Sequence, residues 1–364
     1  MKIGIIRTSS IGDVVLATVC LDYLRRVAPQ AEVVWVGRHP SLGVLQASWP
    51  QLKTIELSSK ASSVVMQGIT DELVQCHAVV DLQTSLRSRR LLRRVRKAGV
   101  PVFFADKHGF FRAWLVISSW LRGRIFKVLP ASRHPQKLQY VMMLEAVHAA
   151  ATFLGIQDPV ALANARPALL DLKYLATDAS WVREMEFGHW LGVAPGASFP
   201  SKRAPTEVFR DTLIELLRLW PKDLAIPGLV FVGGPEDRSA AIELMDETHW
   251  SGPVINLAGK LSLEDTTRAL GRTSVLLSND SGLAHIAEAV GKPVAVLFGP
   301  TVETFGFSPR GKDSIAYSSD LGCRPCSKHG KQSCRYGDHL CFRMIDTRAI
   351  AKHLKTQLTA GGTT

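Results

Sequence analysis

The residues best able to do chemistry in this 364-residue chain fall in two short loops. The first is Arg7-Thr8-Ser9-Ser10-Ile11-Gly12-Asp13. It joins an apolar run, Lys2 to Ile6, to a helical spacing that extends from about Asp13 to Val27. In an open α/β sheet the carboxyl end of a strand is where ligands bind. A carboxylate there has two readings. Asp13 can be an ordinary first-turn acid that complements the helix dipole, or a base beside Gly12, whose missing side chain lets a substrate approach the backbone. A helix start lowers a carboxyl pKa and makes a weak base. That suffices when the leaving group is a nucleoside diphosphate, because little proton removal must precede bond breaking. The second loop is Asn279-Asp280-Ser281-Gly282-Leu283-Ala284-His285, after the strand-like run Ser274 to Leu277. Free N–H groups at a helix start, the Ser281 hydroxyl and bare Gly282 suit a pyrophosphate. The plainer account makes Asp280 or Ser281 an N-cap and His285 a packed helix residue. Neither loop is a GxGxxG fingerprint or a Walker loop, so no dinucleotide cofactor is expected.

Loops of this kind need strands and helices to hold them. Short β-branched runs alternate with amphipathic stretches, the signal for parallel sheets with crossover helices. The first series is Lys2 to Ile6, Glu32 to Val36, Ala78 to Leu82 and Val100 to Phe104; the second is Trp190 to Ala194, Leu229 to Val232, Val254 to Asn256, Ser274 to Leu277 and Val294 to Phe298. Two doubly wound sheets are predicted rather than one. Between them lie a helix pattern, Gln136 to Leu154, and a stretch from Gly155 to Leu175 with Pro159 and Pro167, read as a crossing segment. The expected domains are residues 1–165, residues 166–345, and a C-terminal helix and tail, 346–364, with Asp346 to Leu358 helical and Thr359 to Thr364 frayed.

Composition bounds the partners. Apolar residues make up 46% and charged residues 21%, as in ordinary globular proteins, and no apolar run is long enough to span a bilayer. The N-terminus reads as a strand rather than a signal peptide, so export is not expected. The net charge is +12, and Arg87, Arg89, Arg90, Arg93, Arg94, Arg96 and Lys97 crowd one stretch. Such a run is either a solvated helix face or a contact for a polyanion. No zinc finger, RNA-binding signature or stacked-aromatic motif accompanies it, which weighs against nucleic acid.

The run IRTSSIGDVVLATVCLDYLR resembles the opening of glycosyltransferase family 9, the lipopolysaccharide heptosyltransferases, and D-[ST]-G-x-x-H-x-A at Asp280 resembles that family's most specific motif. The likeness is to the second-heptose branch. It implies a GT-B fold, two Rossmann-like domains facing across a cleft, with acceptor bound by the first and nucleotide sugar by the second. It also implies that Asp13 deprotonates the acceptor hydroxyl, with Ser10 and Gly12 in the same loop, and that Asp280, Ser281, Gly282 and His285 face the diphosphate and sugar of ADP-heptose. Val193-Ala194-Pro195-Gly196-Ala197 with Ser201-Lys202-Arg203 resembles the family's glycine-containing loop and its basic residue. By that match Lys202 stabilises the departing diphosphate, with Gly196, Ser201 and Arg203 beside it; Arg203 can substitute for Lys202. Phe231-Val232-Gly233-Gly234-Pro235-Glu236 places Glu236 for the ribose hydroxyls, against the ordinary preference for Glu at helix starts. The AGKLSL stretch puts main-chain groups of Lys260 and Leu261 at the adenine.

No Asp-x-Asp triplet of the metal-dependent glycosyltransferases occurs, so the resemblance implies an inverting, metal-free transfer with no cofactor beyond the donor. The acceptor implied is the lipid-linked lipopolysaccharide core, met by a cytoplasmic monomer at the inner face of the inner membrane. Two rivals stand beside it: a nucleotide-sugar epimerase, which would convert donor without acceptor, and a non-catalytic binding module, disfavoured by the presence of both Asp13 and Lys202. Two features lie outside these motifs. Cys323, Cys326, Cys334 and Cys341, with His329 and His339 among them, have spacing compatible with structural zinc or with free buried thiols. The stretch from Phe110 to Lys127 mixes aromatics with arginines and is either a core helix or a shallow membrane insertion.

Overall fold

Apolar runs without polar alternation must be covered on both faces, which is the condition of parallel strands with helices on either side. Every strand pair among the described residues of the computed structural model is parallel. The structure describes residues 1–58, 60–106, 109–125, 138–156, 158–169, 180–186 and 188–360, the side chains of 109–111 and 121–125 excepted. Its contacts divide the chain into two units: Met1–Lys107 with Lys137–Leu172, and His108–Gln136 with Lys173–Thr364.

The first unit runs β1 (Lys2–Ile6), α1 (Ile11–Val27), β2 (Glu32–Gly37), α2 (Ser41–Ser48), β3 (Lys53–Glu56), α3 (Ser63–Val74), β4 (Ala78–Asp81), α4 (Leu86–Lys97) and β5 (Val102–Phe104). Next in the chain comes α5 (Gly109–Ile125), which belongs to the second unit; α6 (Gln139–Phe153) and α7 (Pro159–Asn164) return to the first. The sheet order is β3-β2-β1-β4-β5. Strand order therefore reverses between β1 and β4, and crevices at such a switch point are where doubly wound folds place ligands. Helix α1 is buried from Val14 to Leu24, because α6, itself against β4 and β5, and α7 pack on it. The buried Asp22 on α1 accepts from the Arg166 backbone N–H, and Thr18 Oγ1 accepts from Ala168 N, so the chain after α7 is tied back to α1.

The second unit continues with α8 (Ser180–Glu184), β6 (Trp190–Ala194), α9 (Thr206–Leu219), β7 (Gly228–Phe231), α10 (Arg238–Thr248), β8 (Val254–Asn256), α11 (Leu263–Gly271), β9 (Val275–Asn279), α12 (Gly282–Ala289), β10 (Val294–Phe298), β11 (Ile315–Ser318), α13 (Leu340–Arg343) and α14 (Thr347–Ala360). Its order, β11-β10-β9-β6-β7-β8, reverses between β6 and β9. The arrangement is Rossmann-like. Helix α14 packs on α9, and its Ile350, Ala351, Leu354 and Leu358 join Leu213 and Leu216 in one core cluster.

The structure departs from the sequence expectations in particular places. Strands β3 and β11 are sheet-edge strands with half-exposed side chains and no apolar run to signal them. The segment expected to cross irregularly holds α7, started by Pro159 and capped by Asp158, whose carboxylate accepts from Val160 N and Ala161 N; residues 170–175 of that segment lie outside the described residues. The single boundary at 165/166 meets a discontinuous division, because α5 packs on the second unit. Thr359 and Ala360 are helical, and the rest of the tail lies outside the described residues. Leu354 is fully buried at the α9 contact. Leu354→Ala is expected to cost about 2–5 kcal/mol in urea unfolding; a loss below about 1 kcal/mol would remove α14 from the cooperative core.

Candidate functional site

In the first unit, pairing of Ile6 with Asp81 brings the loop after β1 beside the loop after β4. Arg7, almost wholly buried, is pinned there: one guanidinium nitrogen donates to Leu82 O and another meets Asp13 Oδ1 at 2.7 Å. Gln83 Oε1 accepts from Thr8 N at 3.0 Å and Ser9 N at 3.3 Å, holding the loop backbone. Asp81 shapes the neighbouring turn by accepting from Gln83 N and Thr84 N. Asp13 sits in the first turn of α1 and reaches back to Ser10, accepting from its N–H at 3.1 Å and its hydroxyl at 2.9 Å. The capping duty is therefore real. Burial pushes the Asp13 carboxyl up, but the Arg7 charge and the bonds from Ser10 outweigh it and hold the group below the ordinary carboxylate range. Gly12 is buried in the same turn.

In the second unit, pairing of Ala194 with Ser278 sets the loop after β6 against the loop after β9. Buried Asn279 stitches them: its amide donates to Pro195 O at 2.6 Å and its oxygen accepts from Ala204 N at 3.0 Å. Lys202, at the end of a short 3-10 turn, meets Asp280 Oδ2 at 2.5 Å, and Thr301 Oγ1 donates to the same oxygen at 2.7 Å. Burial raises the Asp280 carboxyl; the Lys202 charge and hydrogen bond, the Thr301 bond and the His285 charge outweigh it and leave the group below its ordinary value. Ser281 stands at the N-cap position of α12 with Gly282 first in the helix, and His285 is buried with its ring beside Phe307.

Arg203 donates to Ala197 O and faces Asp237 at 3.5 Å and Glu236 at 3.8 Å. The sequence singled out Glu236, which is exposed; the buried carboxylate of this turn is its neighbour Asp237, which accepts from Gly234 N. Burial raises the Asp237 pKa against the Gly234 bond and the Arg203 charge. The same carboxylate explains Gly196, where a Cβ would lie 2.1 Å from Asp237 Oδ2. Lys260 is exposed and donates to Asn256 O, with Leu261 next to it ahead of α11. Gly259 adopts φ +68 against the Pro235 backbone, which joins the Lys260 loop to the Glu236 turn.

The segment 321–341 backs the Lys202 side. Ser201 Oγ donates to Gly330 O at 2.6 Å, and a side chain at Gly330 would collide with Lys202. Arg324, fully buried, donates to Gly299 O and Thr301 O. Cys323, Cys326, Cys334 and Cys341 line one cavity of about 20 Å³, room for a single water. Burial pushes the Cys326 thiol to about 11 and the Cys341 thiol to about 12. All four are free thiols, and among the described residues no group of three or more His, Cys, Asp or Glu is arranged to hold a metal ion. Arg7 stood in the first loop with no role assigned to it, and no motif reached Gln83 or Thr301; Asp237 was one residue from the residue chosen.

Two Rossmann-like units with polar loops at their switch points form a mixed α/β fold, GT-B in class, and structures of that class cover the chain. The structure of E. coli ADP-heptose lipopolysaccharide heptosyltransferase II aligns with a TM-score of 0.66 over 99% of both chains at 18% identity. E. coli heptosyltransferase WaaC with ADP aligns with a TM-score of 0.64 over 98% of this chain and 100% of that one, also at 18% identity. Among curated proteins, the lipopolysaccharide core heptosyltransferase OpsX of Haemophilus influenzae is 24% identical over 81% of this chain and 78% of its own length. The profile of glycosyltransferase family 9 (heptosyltransferase) matches residues 72–336, and the chain belongs to that family. It is a glycosyltransferase.

The Lys202–Asp280 pair allows a test with a definite sign. The folded pKa of Asp280 is depressed, so its contribution to stability is present above the ordinary carboxylate pKa of about 3.9 and is lost as pH falls through the lower folded value. Lys202→Met leaves a buried carboxylate without its cation, at an expected cost of about 3–5 kcal/mol near neutral pH. Burial then acts with less opposition and raises the folded pKa, so the gap between variant and parent should narrow as denaturant melts are taken from about pH 7 to about pH 4. A gap independent of pH would mean the pair is not buried.

Proposed function

We propose that the chain transfers heptose from ADP-heptose to the lipopolysaccharide inner core, with inversion at the anomeric carbon and without help from a metal ion. The observation that carries this is the Lys202–Asp280–Thr301 cluster at the start of α12, in a chain of the heptosyltransferase family. The names of the similar proteins agree in donor and acceptor: OpsX is a lipopolysaccharide core heptosyltransferase, and WaaC is seen with ADP.

In the proposed reaction the acceptor hydroxyl gives its proton to Asp13 as its oxygen attacks the anomeric carbon from the side opposite ADP. The bond from that carbon to the diphosphate oxygen breaks, and its electron pair leaves with ADP. Lys202 and the N–H groups at Ser281 and Gly282 receive the charge that develops there. Asp280 and Thr301 hold the ammonium in place, His285 borders the sugar and diphosphate, and Ser10 and Gly12 shape the loop beside the reacting carbon. Gly196, Ser201 and Arg203 line the diphosphate, Glu236 accepts from the ribose, and main-chain groups of Lys260 and Leu261 read the adenine. Acceptor binding falls to residues 1–165 and donor binding to 166–345. Acceptor phosphates and carboxylates meet the exposed arginines of α4. The enzyme works as a monomer at the cytoplasmic face of the inner membrane.

A carboxylate held low by Arg7 is ionised across the neutral range, so activity should not fall until pH drops below about 4. Asp13→Ala should still fold, with a lower melting temperature because Arg7 is left buried without its carboxylate, and should keep calorimetric ADP-sugar binding while transfer falls about 10²–10⁴-fold. Turnover within about tenfold of the parent would sink the assignment of Asp13. Conversion of donor to a second nucleotide sugar without acceptor would instead favour an epimerase.

A further inference from the structure

The turn that follows β4 carries two features that cost stability. Asp81 is fully buried; its Oδ1 accepts from Gln83 N at 2.9 Å and Thr84 N at 2.8 Å, while its Oδ2 has no hydrogen-bond partner among the described residues. A buried carboxylate oxygen left unfilled is unfavourable. Thr84 has φ +46. That left-handed conformation crowds the Cβ of any side chain and is an outlier for a β-branched residue. Strain of this kind persists only where the surrounding structure over-determines it, and it collects at functional sites. Here the turn is fixed at both ends, by Asp81 in β4 and by Ser85, whose Oγ accepts from Ser88 N at 3.1 Å and caps α4.

What the strained turn delivers is Gln83. Arg7 N still donates to Val36 O in the manner of the sheet, and the next two backbone donors, Thr8 N and Ser9 N, go to Gln83 Oε1 at 3.0 and 3.3 Å. Ser10 follows, donating from its N–H and its hydroxyl to Asp13 Oδ2. The other oxygen, Asp13 Oδ1, meets Arg7, whose guanidinium donates to Leu82 O between Asp81 and Gln83. Both oxygens of Asp13 are therefore oriented from the one turn after β4. We propose that this turn is a latch for the loop that carries Asp13, with Gln83 as its positioning residue. The proposal deepens the transfer reading above, on which it rests for the role of Asp13. A general base acts only within hydrogen-bond reach of the proton it takes, and a misplacement of about 1 Å can cost about 10²-fold in rate. A strained turn that fixes the carboxylate beforehand spares the reaction that loss.

The test compares the full chain with Gln83→Leu, which has no acceptor, Gln83→Glu, which keeps accepting oxygens, and Thr84→Gly. Turnover is measured with ADP-heptose and a delipidated lipopolysaccharide-core acceptor. Gln83→Leu should lower kcat by about 10- to 100-fold, with a cooperative melt and unchanged calorimetric binding of ADP-heptose. Gln83→Glu should restore kcat to within about threefold of the parent. In hydrogen exchange, the Thr8 and Ser9 amides should be protected in the parent and in Gln83→Glu, and exchange about tenfold or more faster in Gln83→Leu. Thr84→Gly takes the Cβ out of the left-handed position and should raise the urea midpoint. Turnover of Gln83→Leu within about threefold of the parent, or unchanged exchange at Thr8 and Ser9, overturns the latch. Equal losses in Gln83→Leu and Gln83→Glu overturn it as well, because an accepting oxygen would then not be what matters. A lowered midpoint in Thr84→Gly overturns the strain assigned to the turn. Faster exchange in Gln83→Leu, when the parent transfers no heptose, supports the latch and counts against the transfer reading alone.

Discussion

The ion pair between Lys202 and Asp280 is the constraint around which the second unit is arranged. Two charges taken out of water are tolerated only when they meet at close range and their remaining bonds are filled. Thr301 takes one remaining bond of Asp280; Arg324 fixes the Thr301 backbone, and Ser201 ties the Lys202 turn to Gly330. Asn279, one residue before the carboxylate, fixes the opposite loop through Pro195 and Ala204. The cysteine-bearing segment has in this a structural duty that asks nothing of its thiols: it walls the site from behind.

The first unit solves the same problem in the same place. Arg7 is buried at the end of β1 and pairs with Asp13 in the first turn of α1, beside the point where its own strand order reverses. Each unit thus sets one cation against one carboxylate at its switch point. The consequence is electrostatic economy: each pair is close to neutral overall, so in the proposed reaction a diphosphate would be attracted chiefly by the helix start and by the orientation of Lys202, not by a surplus of positive charge. Asp13, as the proton acceptor proposed above, is likewise a weak base because of its arginine, which matches a proposed reaction whose leaving group departs with little prior proton removal.

The interior of the fold was legible in the sequence because parallel central strands are apolar throughout; the strands read at Lys2, Trp190 and Val294 begin where the structure begins them. The edge strands β3 and β11 were not, although β5 and β8, also at sheet edges, were; β3 and β11 carry mixed, half-exposed residues that satisfy no period. The two loops with Asp13 and Asp280 were visible as motifs, and the structure adds what motifs cannot express. Thr301 lies 21 residues from Asp280 and Gln83 lies 75 from Thr8, so their bonds exist only after the sheets have formed. Asp237 was hidden differently, behind an adjacent glutamate of the same chemistry; burial alone separates the two.

Helix α5 interrupts the first unit and supplies Leu115, Arg112 and Ser119 to the second. A gene fragment beginning after the first unit, beyond Leu172, would encode every strand of the second unit and yet leave Val302 and Phe305 without Leu115. Recombination between members of the family at the apparent midpoint of the chain would separate this helix from the residues it packs on. Exchange of the second unit, whether by natural recombination or in the laboratory, therefore has to carry two stretches of sequence together, and the short one lies inside the half of the gene that encodes the other unit.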